Sequence, residues 1–291
     1  MKTYNELYLK ARNLLRQYGV SSAELEARLL VAQAAGKSTA DLLRDMNLYT
    51  TPAVENKVTD YLARRLRGEP VAYITGAWEF YGLPMTVTPD VLIPRMDTEL
   101  LVDTAKDLLV GRKMDARILD LCCGSGCIAC ALGHELPASK LVAVDISASA
   151  LEVCRRNLAA NRLSSRCLTL QADATAAPPL SIGTFDMIVS NPPYVESDEI
   201  ITLDSSVRDF EPIWALDGGK DGLRFYKGIL KYWKSLLRPG GYLLFEVGED
   251  QAETVKEMVL SAGFAAADTR KDTQGIDRVV IGKMYDLEQM F

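Results

Sequence analysis

The sequence predicts an α/β protein with a doubly wound, mostly parallel sheet, an antiparallel hairpin at its C-terminal edge, and a small N-terminal helical-bundle domain. From about residue 117 onward, apolar strands alternate with amphipathic helices. Residues 1–68 show helical periodicity only. Near the C-terminus, two strand-like segments flank Gly275 with no helix between them, as in a hairpin.

Composition places the chain among globular proteins. Of its 291 residues, 48% are apolar and 25% are charged, and no apolar run approaches the roughly 18 residues of a membrane span. The first residues lack the apolar segment of a secretory signal, so we expect a cytoplasmic protein with six reduced cysteines. A formal net charge of −6 disfavours tight binding to bare nucleic acid.

Residues 1–70 predict the helical domain, with four short helices. Ser21 and Glu24 have the spacing of a capping box for the second helix. Thr51 followed by Pro52 predicts the start of the fourth helix. We expect these helices to pack as a small bundle with short connections.

A basic cluster near the end of the fourth helix consists of Arg64, Arg65 and Arg67. It has two interpretations. Cations at a helix C-terminus interact favourably with the helix dipole, which gives the cluster a structural role. The alternative is a contact with a partner protein.

The remaining chain divides into a link and a larger domain. Residues 71–94 predict a β-hairpin that links the two domains, with Gly82-Leu83-Pro84 between its strands. Residues 95–291 form the α/β domain. Its predicted strands are 117–122, 141–146, 168–171, 185–190 and 241–247, and its main helices are 126–135, 148–161, 221–236 and 249–262.

A glycine-rich turn follows the first predicted strand of the α/β domain. Its sequence is Cys122-Cys123-Gly124-Ser125-Gly126, and it leads into a helix. Open α/β sheets bind ligands at this end of a strand, and glycines let the backbone approach the ligand closely. Nicotinamide and flavin proteins use similar loops, so the turn alone does not identify the ligand.

Acidic residues mark the ends of the next two strands. Asp145 can accept hydrogen bonds from ribose hydroxyls, and Asp173 can accept one from an adenine amino group. Such a pair suits an adenosine held without a pyrophosphate, as in S-adenosylmethionine, whose sulfonium and ammonium groups carry positive charge. The alternative is that both are ordinary turn residues at strand ends.

The fourth strand ends in Asn191-Pro192-Pro193-Tyr194. The prolines fix φ and remove two backbone donors. The Asn191 side-chain oxygen and the Pro192 carbonyl can then accept the two N–H bonds of a planar amino group, and the Tyr194 ring can pack on it. Orientation of that nitrogen supplies much of the rate. The alternative is a strand-ending proline turn.

These motifs resemble class I S-adenosylmethionine-dependent amino-methyltransferases, which have a Rossmann-like fold. Further segments resemble the peptide chain release factor N5-glutamine methyltransferases, the HemK family. The resemblance covers essentially the whole chain. Its additional segments are residues 69–76, 79–83, 92–99, 207–212 and 216–222.

The resemblance implies methylation of the glutamine in the Gly-Gly-Gln motif of release factors one and two, with S-adenosyl-L-homocysteine as the second product. It assigns the methionine part of the cofactor to residues 122–126, the ribose to Asp145, and the border of the adenine to Asp173 and Ala174. Asn191 contacts the cofactor as well, and residues 191–194 hold the glutamine. Residues 1–70 recognise the substrate. We expect a monomer with no stable nucleic-acid binding, no metal and no membrane contact.

Two residues depart from the family pattern. Cys122 stands where relatives often have glycine, so a β-carbon enters the turn. Ala174 stands where relatives can have an aromatic ring beside the adenine.

Other functions stay open at this stage. An adenine amino-methyltransferase acting on DNA or RNA would share the Asn191–Tyr194 motif, and a non-catalytic binding module would share the fold. Cys127, Cys130 and His134 share one helix face, which we interpret as core packing rather than as a zinc site. Cys123 near a helix N-terminus is either a reactive thiol or an inert core residue.

Overall fold

The computed structural model describes residues 1–111, 113 and 115–286. The chain forms two compact units. The first comprises Met1–Ala77 and Asp204–Phe210, and the second comprises Trp78–Leu203 and the residues from Glu211 onward. The end of the predicted α/β domain, residues 287–291, lies outside the described residues. None of the described helices is long and apolar enough to cross a membrane.

The first unit is helical. Its elements are α1 (Tyr4–Gln17), α2 (Ala23–Ala35), α3 (Thr39–Arg44), α4 (Pro52–Leu66) and α5 (Val71–Thr75), together with α9 (Ser205–Arg208) from the distant segment. The four predicted helices are present. Helix α5 was not predicted, because five residues between a proline and a glycine are too few to show helical periodicity. The apolar faces of α1, α2 and α4 supply most of its core.

The helix starts in this unit show one correct and one wrong prediction. Thr51 is the N-cap of α4, and Pro52 occupies the first helical turn. The capping box predicted at Ser21 and Glu24 is wrong. The N-cap of α2 is Ser22, whose backbone is not extended and whose side chain makes no capping bond. The capping box lies instead at the start of α1, between Thr3 and Glu6.

Two arginines of the basic cluster are paired within the first unit. Arg65 Nε donates to Glu26 at 2.6 Å, and Arg64 Nη2 donates to Glu69 at 2.6 Å. Hydrogen bonding to Glu69 raises the pKa of Arg64. These pairs favour the structural interpretation of the cluster for Arg64 and Arg65.

The second unit begins with a two-stranded hairpin and continues as a seven-stranded sheet with helices. Predicted helix 221–236 is shorter in the structure, because 221–223 precede α10 and 234–236 form a 3-10 turn. The elements are β1 (Ala77–Phe80), β2 (Leu83–Thr86), α6 (Glu99–Leu109), β3 (Arg117–Leu121), α7 (Cys127–Glu135), β4 (Lys140–Asp145), α8 (Ala148–Ala160), β5 (Cys167–Gln171), β6 (Phe185–Ser190), α10 (Arg224–Tyr232), β7 (Leu237–Glu246), α11 (Ala252–Ser261), β8 (Ala266–Lys271) and β9 (Asp277–Lys283).

The sheet order is β5-β4-β3-β6-β7-β9-β8. Strands β3 to β7 pair in parallel, and β9 pairs antiparallel with both β7 and β8. This confirms the predicted doubly wound sheet with an antiparallel C-terminal hairpin. The chain moves outward from β3 to β5 and then returns to place β6 on the other side of β3. Ligands bind at such a switch point, beside the carboxyl ends of the strands.

Asn157 on α8 connects three parts of this unit. The residue is fully buried. Its side chain accepts from the Thr86 amide at 2.7 Å and donates to the Thr86 carbonyl and to the Ser125 carbonyl, both at 2.9 Å. One amide side chain therefore joins the hairpin and the glycine-rich turn to the same helix, with each of its polar atoms paired.

We expect Asn157→Ala to lower the free energy of unfolding by about 3 kcal/mol, because it leaves several buried backbone groups without partners. Asn161→Ala is the matched control. That side chain bonds the Pro84 carbonyl at a more exposed position, so its loss should cost about 1 kcal/mol or less. Urea unfolding of both variants measures the difference, and equal losses would contradict the linking role of Asn157.

Candidate active site

A cavity opens at the carboxyl ends of β3, β4, β5 and β6. It encloses about 850 Å³ including its open mouth. Of the site residues predicted from the sequence, Gly126, Pro192 and Tyr194 are not among those that line it. The predicted residues that do line it are Cys122, Cys123, Gly124, Ser125, Asp145, Asp173, Ala174, Asn191 and Pro193.

The glycine-rich turn has left-handed backbone at three positions. Gly124 has φ 50° and Gly126 has φ 77°. A β-carbon at Gly126 would lie 2.5 Å from the Cys154 sulfur on α8, so close packing also requires glycine there. A β-carbon at Gly124 would meet nothing within 4 Å, which leaves space beside the backbone open.

Cys122 adopts the same backbone conformation with a side chain present, at φ 59°. A non-glycine residue in this region costs roughly 1–2 kcal/mol. Cys122 therefore keeps the backbone geometry of a glycine at this position and adds strain to the turn.

Asp145, at the end of β4, holds this turn in place. One carboxylate oxygen accepts from the Gly124 amide at 2.8 Å, and the other accepts from the Ser147 amide at 2.9 Å. Burial raises the pKa of Asp145, while these backbone hydrogen bonds oppose the increase. The same carboxylate therefore both fixes the turn and lines the cavity.

Beyond Asp145, the cavity wall combines one acid with apolar side chains. One oxygen of Asp173 accepts from the Thr175 amide and hydroxyl, both at 2.7 Å. Ile146 lines the cavity although 55% of its surface is exposed, and Phe225 from α10 lines it too. The sequence analysis missed both. Ile146 had a signal, because it directly follows the strand-end acid, whereas Phe225 lies outside every motif.

Asp120 is a buried carboxyl that the sequence analysis also missed, although an acid inside an apolar strand was a visible signal. It is fully buried in β3. One oxygen accepts from the Ala129 amide in the first turn of α7 at 3.2 Å, and the other has no partner among the described residues. Burial raises the pKa of Asp120 to about 8, so the carboxyl retains its proton at neutral pH.

At the end of β6, the Asn191 side chain is held by a neighbouring element. Its amide nitrogen donates to the Thr98 hydroxyl at 3.1 Å. Thr98 precedes α6, and both residues line the cavity. Glu246 ends the adjacent strand β7 and is buried, and burial raises its pKa to about 7. The Asn191 side chain is thus held by the Thr98 hydroxyl.

Tyr194 is half-buried and packs against the core next to the site. Its ring packs beside Gly248, where a β-carbon would lie 3.4 Å from the ring, and its side chain joins the core beneath the site. Burial raises the pKa of Tyr194 to about 12. Its backbone oxygen accepts from Gln251 Nε2 at 3.0 Å. The described contacts of Tyr194 therefore support the turn from its core side.

A glycine-rich segment packs directly on the backbone of residues 193–195. The Gly218 amide donates to the Val195 carbonyl at 2.8 Å. A β-carbon at Gly218 would lie 2.7 Å from the Tyr194 α-carbon and 2.9 Å from the Pro193 carbonyl oxygen. Two backbones therefore lie in contact at this point, and no side chain fits between them.

Glu211 joins two further sequence motifs at the cavity wall. The side chain is buried and accepts from the Ile93 amide at 3.1 Å and from Arg95 Nη2 at 2.5 Å. Arg95 lines the cavity, as does Trp214, which follows Glu211 in sequence and is 56% exposed. Both side chains are cavity-lining residues that the sequence analysis did not select.

Five of the six cysteines are buried, and Cys122 is half-buried. Cys127 and Cys130 are buried on α7, and burial raises the pKa of Cys127 to about 12. The pKa of Cys123 is raised by its hydrogen bond with Cys154 and by burial. These shifts oppose thiolate formation and favour the inert interpretation of Cys123. Across residues 1–111, 113 and 115–286, no group of three or more His, Cys, Asp or Glu side chains could hold a metal ion.

Comparison with known proteins shows similarity over most of the chain. Residues 6–76 match the PrmC N-terminal domain family, and residues 96–205 match the methyltransferase small domain family. The chain is 41% identical to a release factor glutamine methyltransferase from Geobacter sulfurreducens, over 94% of each chain. It is 40% identical to one from Agrobacterium fabrum, again over 94% of each.

Among solved structures, the hMettl16 catalytic domain in complex with MAT2A 3'UTR hairpin 6 is similar in fold. The TM-score is 0.58 at 19% sequence identity, and the match covers 78% of this chain and 83% of the other. This similarity supports the class of fold alone.

We expect Gly218→Ala to lower the free energy of unfolding by about 1–3 kcal/mol, because the new methyl group would overlap backbone atoms that cannot move independently. Gly248→Ala is the control. The nearest atom to its β-carbon is Gln251 Oε1 at 3.1 Å, at the end of a flexible side chain. Denaturant unfolding should show less than about 1 kcal/mol of loss for the control. A harmless Gly218→Ala would contradict the close backbone contact.

The stability of Asp120→Asn relative to wild type should rise with pH. In wild type, the pKa of Asp120 is raised from 3.8 to about 8 by folding. Between these values the unfolded chain releases a proton that the folded chain retains, so raising the pH favours unfolding. The amide does not titrate. The stability difference should therefore grow by about 1.4 kcal/mol per pH unit up to pH 8, measured by urea unfolding. A pH-independent difference would contradict this assignment.

Proposed function

The chain belongs to the release factor glutamine methyltransferases, and from this membership we propose the target atom: the side-chain amide nitrogen of the glutamine in a release factor Gly-Gly-Gln motif. The enzyme is an S-adenosylmethionine-dependent protein-glutamine methyltransferase. The observation that carries the proposed site is that one cavity contains both the strand-end acids and Asn191.

The cavity residues fit S-adenosylmethionine. The open space beside Gly124 allows a ligand to approach the backbone, and Asp145 and Asp173 supply negative charge for its cationic groups. Ile146 and Phe225 provide apolar surface for a flat base. When bound, this cofactor supplies a methyl group activated by the sulfonium. We assign its methionine part to residues 122–126, its ribose to Asp145 and its adenine to the Asp173–Ala174 end, with Asn191 adjoining it.

Residues 191–194 orient the glutamine in this proposal. An amide nitrogen is a poor nucleophile because its lone pair is delocalised into the carbonyl group. The Asn191 side-chain oxygen and the Pro192 carbonyl accept its two N–H bonds, which orients the nitrogen and favours the positive charge that develops on it. Asn191 and Pro193 line the cavity. Tyr194 packs against the core beneath the turn that carries both acceptors.

Methyl transfer to the amide nitrogen held by residues 191–194 needs no strong base. The amide proton can leave after the methyl group has been transferred, when the nitrogen has become acidic. Orientation by fixed acceptors then supplies much of the rate, because the reacting atoms no longer need to find their geometry by diffusion.

We further propose that residues 1–70 recognise the release factor, that release factors one and two are both substrates, and that the enzyme acts as a monomer in the cytoplasm during translation termination. The match of residues 6–76 to the PrmC N-terminal domain supports a role of this region that is specific to the family. The net charge of −6 supports a protein substrate over bare nucleic acid.

The test is methyl transfer from radiolabelled S-adenosylmethionine to a purified release factor. Its Gly-Gly-Gln variant with alanine in place of glutamine, and a mixed DNA and RNA pool, serve as parallel substrates. Label on the wild-type factor alone is the expected result. Label on nucleic acid, with none on the factor, would overturn the proposal in favour of an adenine amino-methyltransferase.

Asn191→Ala should lower kcat by about 10²–10³-fold, as for the loss of one fixed group that stabilises a transition state. Cofactor affinity should change little, because other residues supply most of the cavity wall. Asn161→Ala, outside the cavity, is the control. Calorimetric titration with the cofactor separates the two effects, and comparable losses in turnover and cofactor affinity would refute the assigned role.

A further inference from the structure

Trp214 is an exposed aromatic side chain with no role in the cofactor or substrate assignments above. It lines the cavity although 56% of its surface is accessible. Its neighbour Ile213 is exposed to a similar degree, 53%, and is not among the residues that line the cavity. Single exposed apolar side chains are ordinary on protein surfaces. The feature that needs an explanation is therefore the position of the Trp214 ring at the cavity.

The backbone that carries Trp214 is fixed at both ends. Before it, the buried Glu211 carboxylate accepts from Arg95 Nη2 at 2.5 Å. After it, the Leu216 carbonyl accepts from the Val195 amide at 2.9 Å, in the turn that follows β6. Trp214 itself lies in a single 3-10 turn between these two attachments. Its ring is therefore presented to the cavity by backbone that is held on both sides, as a binding residue requires.

The sheet order places Trp214 near the end of the cavity assigned to the substrate. Strands β4 and β5 lie on one side of β3, and β6 lies on the other. Asp173 and Ala174, assigned above to the adenine, follow β5. The segment that carries Trp214 is instead bonded to the turn after β6, which also carries Asn191. The ring therefore belongs with the residues that hold the glutamine rather than with those at the adenine.

The proposed substrate offers a flat surface to this ring. A glutamine side chain is short, so the backbone beside the target glutamine must come to the cavity mouth when the amide reaches Asn191. The residues just before the target are two glycines. Glycine has no β-carbon, so the faces of its peptide groups are open to close approach. An indole ring can lie against such a face and supply a large contact area at a small loss of side-chain freedom.

We propose that Trp214 is a specificity-determining residue, whose ring packs on the peptide groups of the Gly-Gly pair and favours glycine immediately before the target glutamine. This inference rests on the proposed function of the chain. A β-carbon at that position of the substrate would hold the ring away from the peptide plane, and the contact between them would be lost. The ring binds the substrate loop and takes no part in methyl transfer, so its loss affects KM more than kcat.

The first experiment measures kcat and KM for release factor methylation by wild type and three variants. We expect Trp214→Ala to raise KM about 10–100-fold, as for an aromatic anchor of an interface, with kcat within about threefold of wild type. Trp214→Phe keeps a flat ring and should change KM less than about threefold. Ile213→Ala is the matched control, with similar exposure outside the cavity lining, and should change KM less than about twofold. Wild-type KM in Trp214→Ala, or an equal increase in Ile213→Ala, would overturn the inference.

Calorimetric titration with S-adenosyl-L-homocysteine separates a substrate role of the ring from a cofactor role. We expect Trp214→Ala to bind this product within about threefold of wild type, because the ring contacts the substrate loop. A loss of affinity as large as the rise in KM would assign the ring to the cofactor and overturn the inference.

A variant of the release factor tests the preference for glycine directly. Replacing the glycine immediately before the target glutamine by alanine should lower kcat/KM of the wild-type enzyme at least about tenfold. With Trp214→Ala the same replacement should cost less than about threefold, because the ring that meets the new β-carbon is gone. Equal discrimination by the two enzymes would contradict the contact between the ring and the glycine.

A spectroscopic measurement does not depend on turnover. The chain has three tryptophans, so enzyme labelled with 5-fluorotryptophan gives three fluorine signals, and the Trp214 signal is assigned by its loss in Trp214→Phe. We expect this signal to shift when unlabelled release factor is added to enzyme saturated with S-adenosyl-L-homocysteine. The signal of Trp233, which is fully buried, should stay in place. A Trp214 signal that the factor leaves unchanged would overturn the inference.

The outcomes also separate this inference from the proposed function. Lack of release factor labelling by wild type would refute the proposed function and the inference with it. Labelling by wild type, together with an unchanged KM in Trp214→Ala, would refute the role of Trp214 alone.

Discussion

Parallel pairing of β3 to β7 is the constraint on which the site depends. Strands that run in the same direction end at the same edge, so their last residues meet although they are far apart in sequence. Asp145 and Asn191 line the same cavity because their strands end at this edge. The strand order reverses between β3 and β6. The cavity lies where the connections that follow these two neighbouring strands separate.

Buried carboxyls at this edge link the scaffold to the chemistry. Asp120 accepts from the first turn of α7, Asp145 holds the glycine-rich turn, and Glu246 lies buried at the end of β7. Each pKa is raised by burial, so each group lowers the stability of the fold near neutral pH. The cost is concentrated where orientation matters for methyl transfer. This pattern is typical of functional sites, where stability is exchanged for fixed polar groups.

The sequence was sufficient for the order of elements and for the chemistry at the strand ends. Periods of two and 3.6 residues identified the sheet and most helices, because burial of one face imposes them wherever an element is long enough. Short elements escaped, as α5 did. The capping box at Ser21 failed because capping depends on the backbone angles of Ser22 as well as on residue type. Nine of the predicted site residues line the cavity because motif and strand end coincide.

Pairings between distant segments were decided only by the tertiary structure. Glu211 and Arg95 belong to separate sequence motifs. Only the folded structure shows that the Glu211 carboxylate accepts a hydrogen bond from Arg95 at the cavity wall. Phe225 on α10 lines the same cavity as Ala174, and the Thr98 hydroxyl holds the Asn191 amide from the start of α6. Local sequence determines local backbone and residue chemistry, because both depend on near neighbours. Which side chain completes the hydrogen bonds of another depends on burial and on sheet order, and these arise only when the whole chain has folded.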